Sequence, residues 1–359
     1  MGTLRTLLAI AVVFAHTWGF MFTGGQNAVQ LFYMISGFLI SFVLVERQAY
    51  PRLRDFYINR YLRLYPIYLV VALLTLLCFA IAWVLGQDIA FFKVWNEAPL
   101  AAQGLLIVAH AILFLQDWVM FAAVQGAQLV FASDFRQSEV VLHLGLLVPQ
   151  AWTLGVELSF YLIAPFILKR RGLLIILLGL SVCLRLYLWH IGLGRIDPWT
   201  YRFFPTELAL FVAGALSHQL LLPLWQRRFT TPRLDRLAVG ATAILVLITL
   251  LYWRVPLADP LKSLLLLGVF FILMPLAFLF QSTHAWDRWI GELSYPIYIG
   301  HMLVVYLVTR GEGQADASFG AVASLGIVVL SIGLAILLNI WVGRPMESLR
   351  NRHRSGAPG

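Results

Sequence analysis

The stretch LYPIYLVVALLTLLCFAIAWVLG, residues 64–86, runs 23 positions without a charged side chain. A helix of about 20 mostly apolar residues crosses the hydrocarbon core of a bilayer, so this segment reads as a membrane span. Similar runs lie near residues 4–22, 29–46, 104–116, 152–168, 172–190, 204–222, 237–253, 261–280, 293–310 and 319–342, each ended by charge, Gly or Pro. The 359 residues are 61% hydrophobic and only 12% charged, with a mean hydropathy of +0.84, whereas soluble domains carry roughly a quarter charged residues. The fold class is therefore an all-α polytopic membrane protein.

The net charge of +9 is concentrated in four links: Arg47, Arg52, Arg54, Arg60 and Arg63; Lys169, Arg170 and Arg171; Arg227, Arg228, Arg233 and Arg236; and the tail Arg344, Arg350, Arg352 and Arg354. Basic links between spans mark the cytoplasmic side, which excludes a nucleic-acid surface as their purpose. If all eleven runs crossed, the link at 169–171 would fall outside. Removing the 104–116 run, about 13 residues long and interrupted by His110, places every basic link inside. This predicts about ten transmembrane helices with both termini cytoplasmic, and one re-entrant or interfacial external segment near 104–116. Residues 1–345 form the membrane domain, 87–151 its external cap and 346–359 a basic cytoplasmic tail. The cap either shapes an outward-facing site or only packs.

His16 interrupts the first apolar run and no small-residue cleavage site follows, so that run is expected to be a retained span rather than a signal peptide. Cys78 and Cys183 stand alone in apolar runs without metal-ligand spacing, and no metal is expected. No fixed-period repeat and no appended soluble domain is seen.

Ionisable groups inside spans are costly and mark functional sites. Arg5 and His16 are eleven positions apart, which returns the second side chain to the same helix face about 16 Å further along. Alone, Arg5 reads as a cytoplasmic anchor and His16 as a packing histidine bonded to a neighbouring Ser or carbonyl. Their shared face favours function for both. Ser36-Gly37 supplies a small patch for close approach of a helix or ligand. Arg60 and Arg63, three apart on a short helix before Pro66, form a fork suited to phosphate, or to anionic lipid. In Trp152-Thr153-Leu154-Gly155-Val156-Glu157, the carboxylate lies about one turn into a span. It needs a partner: His16 at comparable depth, whose tautomer it would fix, or an arginine such as Arg202. In Ser294-Tyr295-Pro296-Ile297-Tyr298-Ile299-Gly300-His301, His301 contacts substrate or only packs.

Taken in this order, these stretches resemble acyltransferase family 3, the bacterial integral-membrane sugar O-acyltransferases. The resemblance runs from about residue 3 to residue 345 and is carried by the Arg5/His16 pair with ten residues between, Ser36-Gly37-Phe38, Arg60/Arg63/Pro66, Trp152 to Tyr161, and Ser294 to His301. One departure is Gly343, which stands before Arg344-Pro345 where the family commonly has Glu. The resemblance implies an acyl-CoA donor, acetyl-CoA foremost, used as a substrate with no permanently bound cofactor. Arg5, Arg60 and Arg63 would hold its phosphates at the inner face, and the pantetheine arm would span the 16 Å to His16. His16 would act as general base on an acceptor hydroxyl or briefly carry the acyl group, with Glu157 orienting it. Ser36, Arg202, Tyr298 and His301 would contact substrate. The implied acceptor is an extracytoplasmic sugar or cell-envelope glycan, and the location the bacterial inner membrane in contact with lipid, alongside polysaccharide-assembly partners. Without an extracytoplasmic extension, transfer is expected within the membrane domain or with a separate partner protein. The rival reading is a transporter or flippase using the same His, Glu and Arg as a relay; it predicts matched broken helices in an internal repeat, which the sequence does not display.

Overall fold

The computed structural model describes residues 1–19, 21–310 and 319–352. Arg354 and the rest of the basic tail after Arg352 lie outside the described residues, as does Phe20 within the first predicted span. The helices are α1 Gly2–Thr17, α2 Gly24–Ser41, α3 Leu53–Val84, α4 Ala90–Glu97, α5 Leu100–Ile112, α6 Trp152–Ile167, α7 Arg171–His190, α8 Phe204–Leu216, α9 Leu222–Arg228, α10 Thr231–Leu251, α11 Asp259–Thr283, α12 Ala285–Val308, α13 Ala321–Leu338 and α14 Arg344–Asn351. Short π-helical segments prolong α2, join α8 to α9 and join α13 to α14.

Among the described residues, seven helices are long and apolar enough to cross a membrane, so the chain is a helical membrane protein. They match predicted spans at 29–46, 64–86, 172–190, 204–222, 237–253, 261–280 and 319–342. The other three predicted spans fall on α1, α6 and α12, which are helical but shorter or more polar. The 104–116 run forms α5, only 13 residues long, and ends where Leu113 turns into the left-handed region at φ 63°. The all-α class holds, and one small pair of strands accompanies the helices. The cap contains a hairpin in which Ala122–Gln125 pairs antiparallel with Gln128–Phe131, turning at Gly126 and Ala127, both with positive φ. Its outer strand is half-exposed, and short polar-tipped pairs of this kind form outside lipid, where open sheet edges find water.

Burial sorts the helices into a centre and a rim. Of the most apolar windows, those in Gly24–Glu46 and Phe204–Arg228 are 67% buried, those in Arg171–His190 and Thr231–Arg254 only 17% and 22%. The first pair is central; the second faces lipid. Small residues permit the central contacts. A Cβ on Gly37 would fall on the Phe211 carbonyl, and one on Gly214 would fall on that of Met34, so α2 and α8 meet backbone to backbone. Gly37 therefore packs, as its small size predicts, while the adjacent Ser36 faces the interior. On the other side of α2, α1 is clasped to α12. The Asp287 carboxylate, 1% exposed, accepts from the Gly2 amide at 2.7 Å, the Thr3 amide at 2.8 Å and the Thr3 hydroxyl at 2.6 Å. Those amides begin α1 and have no partner within the helix. A cap supplied by another helix sets the depth of α1 against α12.

α3 runs unbroken for 32 residues through Pro66. Arg60 and Arg63 are thus on the span helix itself and not, as expected, on a separate short one. Pro66 removes only the amide that would donate to the Leu62 carbonyl four residues back, and the rest of the helix satisfies its own backbone; Tyr295 ties α12 to α3 by donating its hydroxyl to the Leu64 carbonyl at 2.5 Å.

Candidate active site

Three cavities lie in series along the central helices. The inner one is lined by Arg5, Arg63, Arg288, Glu347 and Arg350 at the basic end of the bundle. The middle one has Arg5, Ser36, Arg60, Arg63, Glu157 and Tyr161 on its wall. The outer one, under the cap, is lined by His16, Arg136, His143, Trp152, Tyr201 and Arg202. Arg5, Arg63 and Tyr295 belong to both inner and middle cavities, and Val29 and Tyr298 to both middle and outer. The middle cavity, about 80 Å³, is the smallest of the three. The outer, about 460 Å³, is large enough for a ring.

Helix α1 contributes to both ends of this series. Arg5 stands at the inner constriction, and His16, eleven residues or about 16 Å along the helix, faces the outer cavity. The face shared by the two residues thus looks onto the cavities.

In the middle cavity the Glu157 carboxylate accepts from the Ser36 hydroxyl at 2.6 Å and, at the same oxygen, from the Tyr161 hydroxyl. It lies within electrostatic range of Arg5 and Arg63. Arg60 is buried beside it, donating to Asn59 Oδ1 at 2.7 Å and the Tyr50 hydroxyl at 3.0 Å, with the Phe56 and Tyr161 rings each 5.9 Å away. The expected Glu157–His16 hydrogen bond is not made. Trp152, at the start of α6, lines the cavity of His16; Glu157 is five residues on, about 7.5 Å deeper at helical rise. Depth separates the pair. Nor is Arg202 its partner. Arg202 donates to Asp197 Oδ1 at 2.7 Å and Oδ2 at 3.0 Å, with its guanidinium 4.3 Å from the Trp152 ring centre. Burial opposes that charge, but the Asp197 hydrogen bonds and charge prevail and hold the Arg202 pKa above its ordinary value. His143, at the same cavity, is kept neutral, its pKa pulled down to about 4 by burial and then by the Arg202 charge.

Tyr298 forms part of the wall between middle and outer cavities and donates its hydroxyl to the Gln150 carbonyl at 3.2 Å. His301 lines none of the three cavities. It is completely buried and faces His16 with ring centres 5.2 Å apart.

Sequence reasoning passed over several groups. Glu207 is buried and paired with Arg185 at 2.5 Å between α8 and α7; the rule that flags charges within apolar runs would have found both. Tyr161 was within a quoted motif, but a phenol gives no signal of its own. Asp287 gains its meaning only from Gly2 and Thr3, more than 280 residues away, and the place of Arg288 on the inner-cavity wall appears only in the fold.

One helical membrane bundle thus joins an arginine-lined mouth, a carboxylate-and-arginine waist and a histidine-bearing cavity. Residues 2–343 match the family model described as an acyltransferase domain, that of acyltransferase family 3, and the chain belongs to that family. Among curated proteins it is similar to the peptidoglycan O-acetyltransferase OatA of Listeria monocytogenes serovar 1/2a, with 22% identity over 332 residues covering 85% of this chain and 49% of that protein. It is equally similar, at 22% over 329 residues, to a protein of Staphylococcus aureus strain COL provisionally named an O-acetyltransferase, covering 85% of this chain and 50% of the other. The chain spans about half the length of the curated relatives it matches. No solved structure matches it.

Proposed function

We propose that this chain is an O-acyltransferase that takes an acyl group, acetyl foremost, from cytoplasmic acyl-CoA and passes it to a hydroxyl of an extracytoplasmic sugar or cell-envelope glycan. The observation that carries the reading is the series of three cavities sharing residues at each junction. Phosphates of the donor would meet Arg5 and Arg63 at the inner constriction, where bidentate guanidinium donors suit them. Arg60, on the wall of the middle cavity and already tied to Tyr50 and Asn59, would guide the arm. The narrow waist suits a pantetheine chain. The outer cavity, walled by Trp152 and Tyr201 with Arg202 at hand, suits an acceptor with a polar rim and an apolar ring face. His16 would remove the acceptor proton or carry the acyl group, and Glu157 would balance Arg5 and Arg63 while fixing Ser36 and Tyr161. Tyr298 would separate donor and acceptor sides. This sets the basic end inside and the cap outside, with ten spans, both termini cytoplasmic, in the bacterial inner membrane. The name of the Listeria relative, a peptidoglycan O-acetyltransferase, supports a glycan acceptor.

The test is transfer of radiolabel from acetyl-CoA to envelope glycan in membranes holding the intact chain or His16→Ala at equal folded amounts. Loss of about 100-fold or more in kcat is expected when a general base is removed. Equal labelling by both would remove His16 from the mechanism.

A further inference from the structure

We propose that His301 is the positioning partner of His16: its Nε2 lone pair receives a ring N–H of His16, selects the His16 tautomer and shares the positive charge when His16 is protonated or acylated. The inference rests on the reading of His16 as base or acyl carrier.

His301 Nδ1 lies 2.7 Å from the Tyr298 carbonyl oxygen. A carbonyl only accepts, so Nδ1 carries a proton, and a neutral imidazole then offers Nε2 as a bare acceptor. That Nε2 is buried and has no hydrogen-bond partner among the described residues. Buried unsatisfied acceptors are rare in folded proteins and call for an explanation. The neighbouring His16 ring stands with its centre 5.2 Å away and its plane 35° from that of His301. At this separation rotation of the His16 side chain would set a ring nitrogen against this lone pair, and His16 also lines the outer cavity.

The charged group acting on His16 is Arg202 and not a carboxylate, and Asp117, whose Oδ1 has no hydrogen-bond partner among the described residues, lies against Gly155 of α6. Glu157 is held by Ser36 and Tyr161, Glu207 by Arg185 and Asp197 by Arg202. A neutral partner suits the site. Arg202 shares the outer cavity with His16, and its charge opposes a lasting imidazolium. An acceptor without charge steadies a transient cation and then releases it. In direct transfer the free His16 nitrogen removes the hydroxyl proton as the acceptor oxygen attacks the thioester carbonyl. The C–S bond breaks, and the imidazolium returns the proton to the departing CoA thiolate. In the relay route the same nitrogen takes the acyl group and CoA leaves. The hydroxyl then attacks the acyl-imidazolium and its proton goes to the thiolate or solvent. His301 holds the other N–H throughout either route.

The experiment uses the full chain in nanodiscs with ring-¹⁵N histidine, and compares wild type, His301→Ala, His301→Gln and His301→Asn. The His16 tautomer is read by NMR, and label transfer from acetyl-CoA to envelope glycan is followed across pH in matching membranes. Gln places an oxygen acceptor near the former Nε2; Asn is too short. Arg202, His143 and Tyr298 face the same cavity and are unchanged in all four proteins. Expected are one His16 tautomer in wild type and His301→Gln, a mixture in His301→Ala and His301→Asn, and a transfer rate about 10- to 100-fold lower in the last two, as for loss of an orienting partner. The acid limb of the rate profile should move to lower pH, because an unsupported imidazolium forms less readily. His16 signals identical in all variants, or Gln no better than Asn, would overturn the inference. Full activity in His16→Ala would instead overturn the reading on which it rests, and the tautomer measurement reports on the ring pair in either case.

Discussion

Replacing Arg5 by Gln should separate donor binding from chemistry. Arg5 is the α1 residue at the constriction common to the inner and middle cavities, about 16 Å along the helix from His16. A hydrogen bond from a charged donor contributes about 1.5–3 kcal/mol, and 1.36 kcal/mol is a factor of ten, so the KM for acyl-CoA should rise about 10- to 150-fold. On the proposed reading Arg5 would meet only the remote end of the donor, so kcat at saturating acyl-CoA should change little. Gln keeps polarity and most of the length, and Glu157 retains Arg63 within electrostatic range, so the waist should stay folded. The assay is label transfer over a donor concentration series in proteoliposomes, with His16→Ala in parallel, which should lose kcat. An Arg5→Gln protein with unchanged KM and a kcat lowered like that of His16→Ala would refute the placing of the donor phosphates at the inner constriction.

Asp287→Ala removes the cap that α12 gives α1, and should lower stability by about 1–2 kcal/mol, the usual cost of a lost N-terminal cap, seen as a lower Tm in detergent; an unchanged Tm would mean α1 is seated by other contacts. The cap region offers a pH test. Asp117 is buried with Oδ1 unpartnered among the described residues, and burial pushes its pKa from the ordinary 3.8 up to about 7. The folded state thus binds the proton more tightly than the unfolded, so this group costs no stability below about pH 4 and costs progressively more as pH rises through 7. Asp117→Asn should therefore raise Tm at pH 8 and leave it nearly unchanged at pH 4. The reverse order would show that the ionised carboxylate is stabilising.

How much was legible follows from range. Seven spans could be read locally, because 20 apolar residues carry their own signal. The three predicted spans outside those seven, α1, α6 and α12, are those that supply Arg5, His16, Glu157, Tyr298 and His301. α1 and α6 have only 16 residues each, short of the usual span, so these helices were placed by the topology that the basic links require rather than by length alone. The eleven-residue interval between Arg5 and His16 was readable because both lie on one helix of fixed rise. The Glu157 assignment failed because it compared depths on two helices, and a five-residue error there is about 7.5 Å, more than any hydrogen bond spans.

Composition, run length and the placing of arginines determined by themselves that the chain is a helical membrane protein, that one helix carries Arg5 and His16 on one face, and that Gly37 must lie against a neighbour. These are properties of single helices, whose geometry is set by bonds within about one turn. Only tertiary structure decided that Glu157 belongs with Ser36 and Tyr161, that Asp287 caps α1 from 284 residues away, and that His16 looks at His301. Such partners are chosen by how helices slide and rotate against each other, and that depends on close approaches such as Gly37 on Phe211, which a linear pattern of residues does not specify.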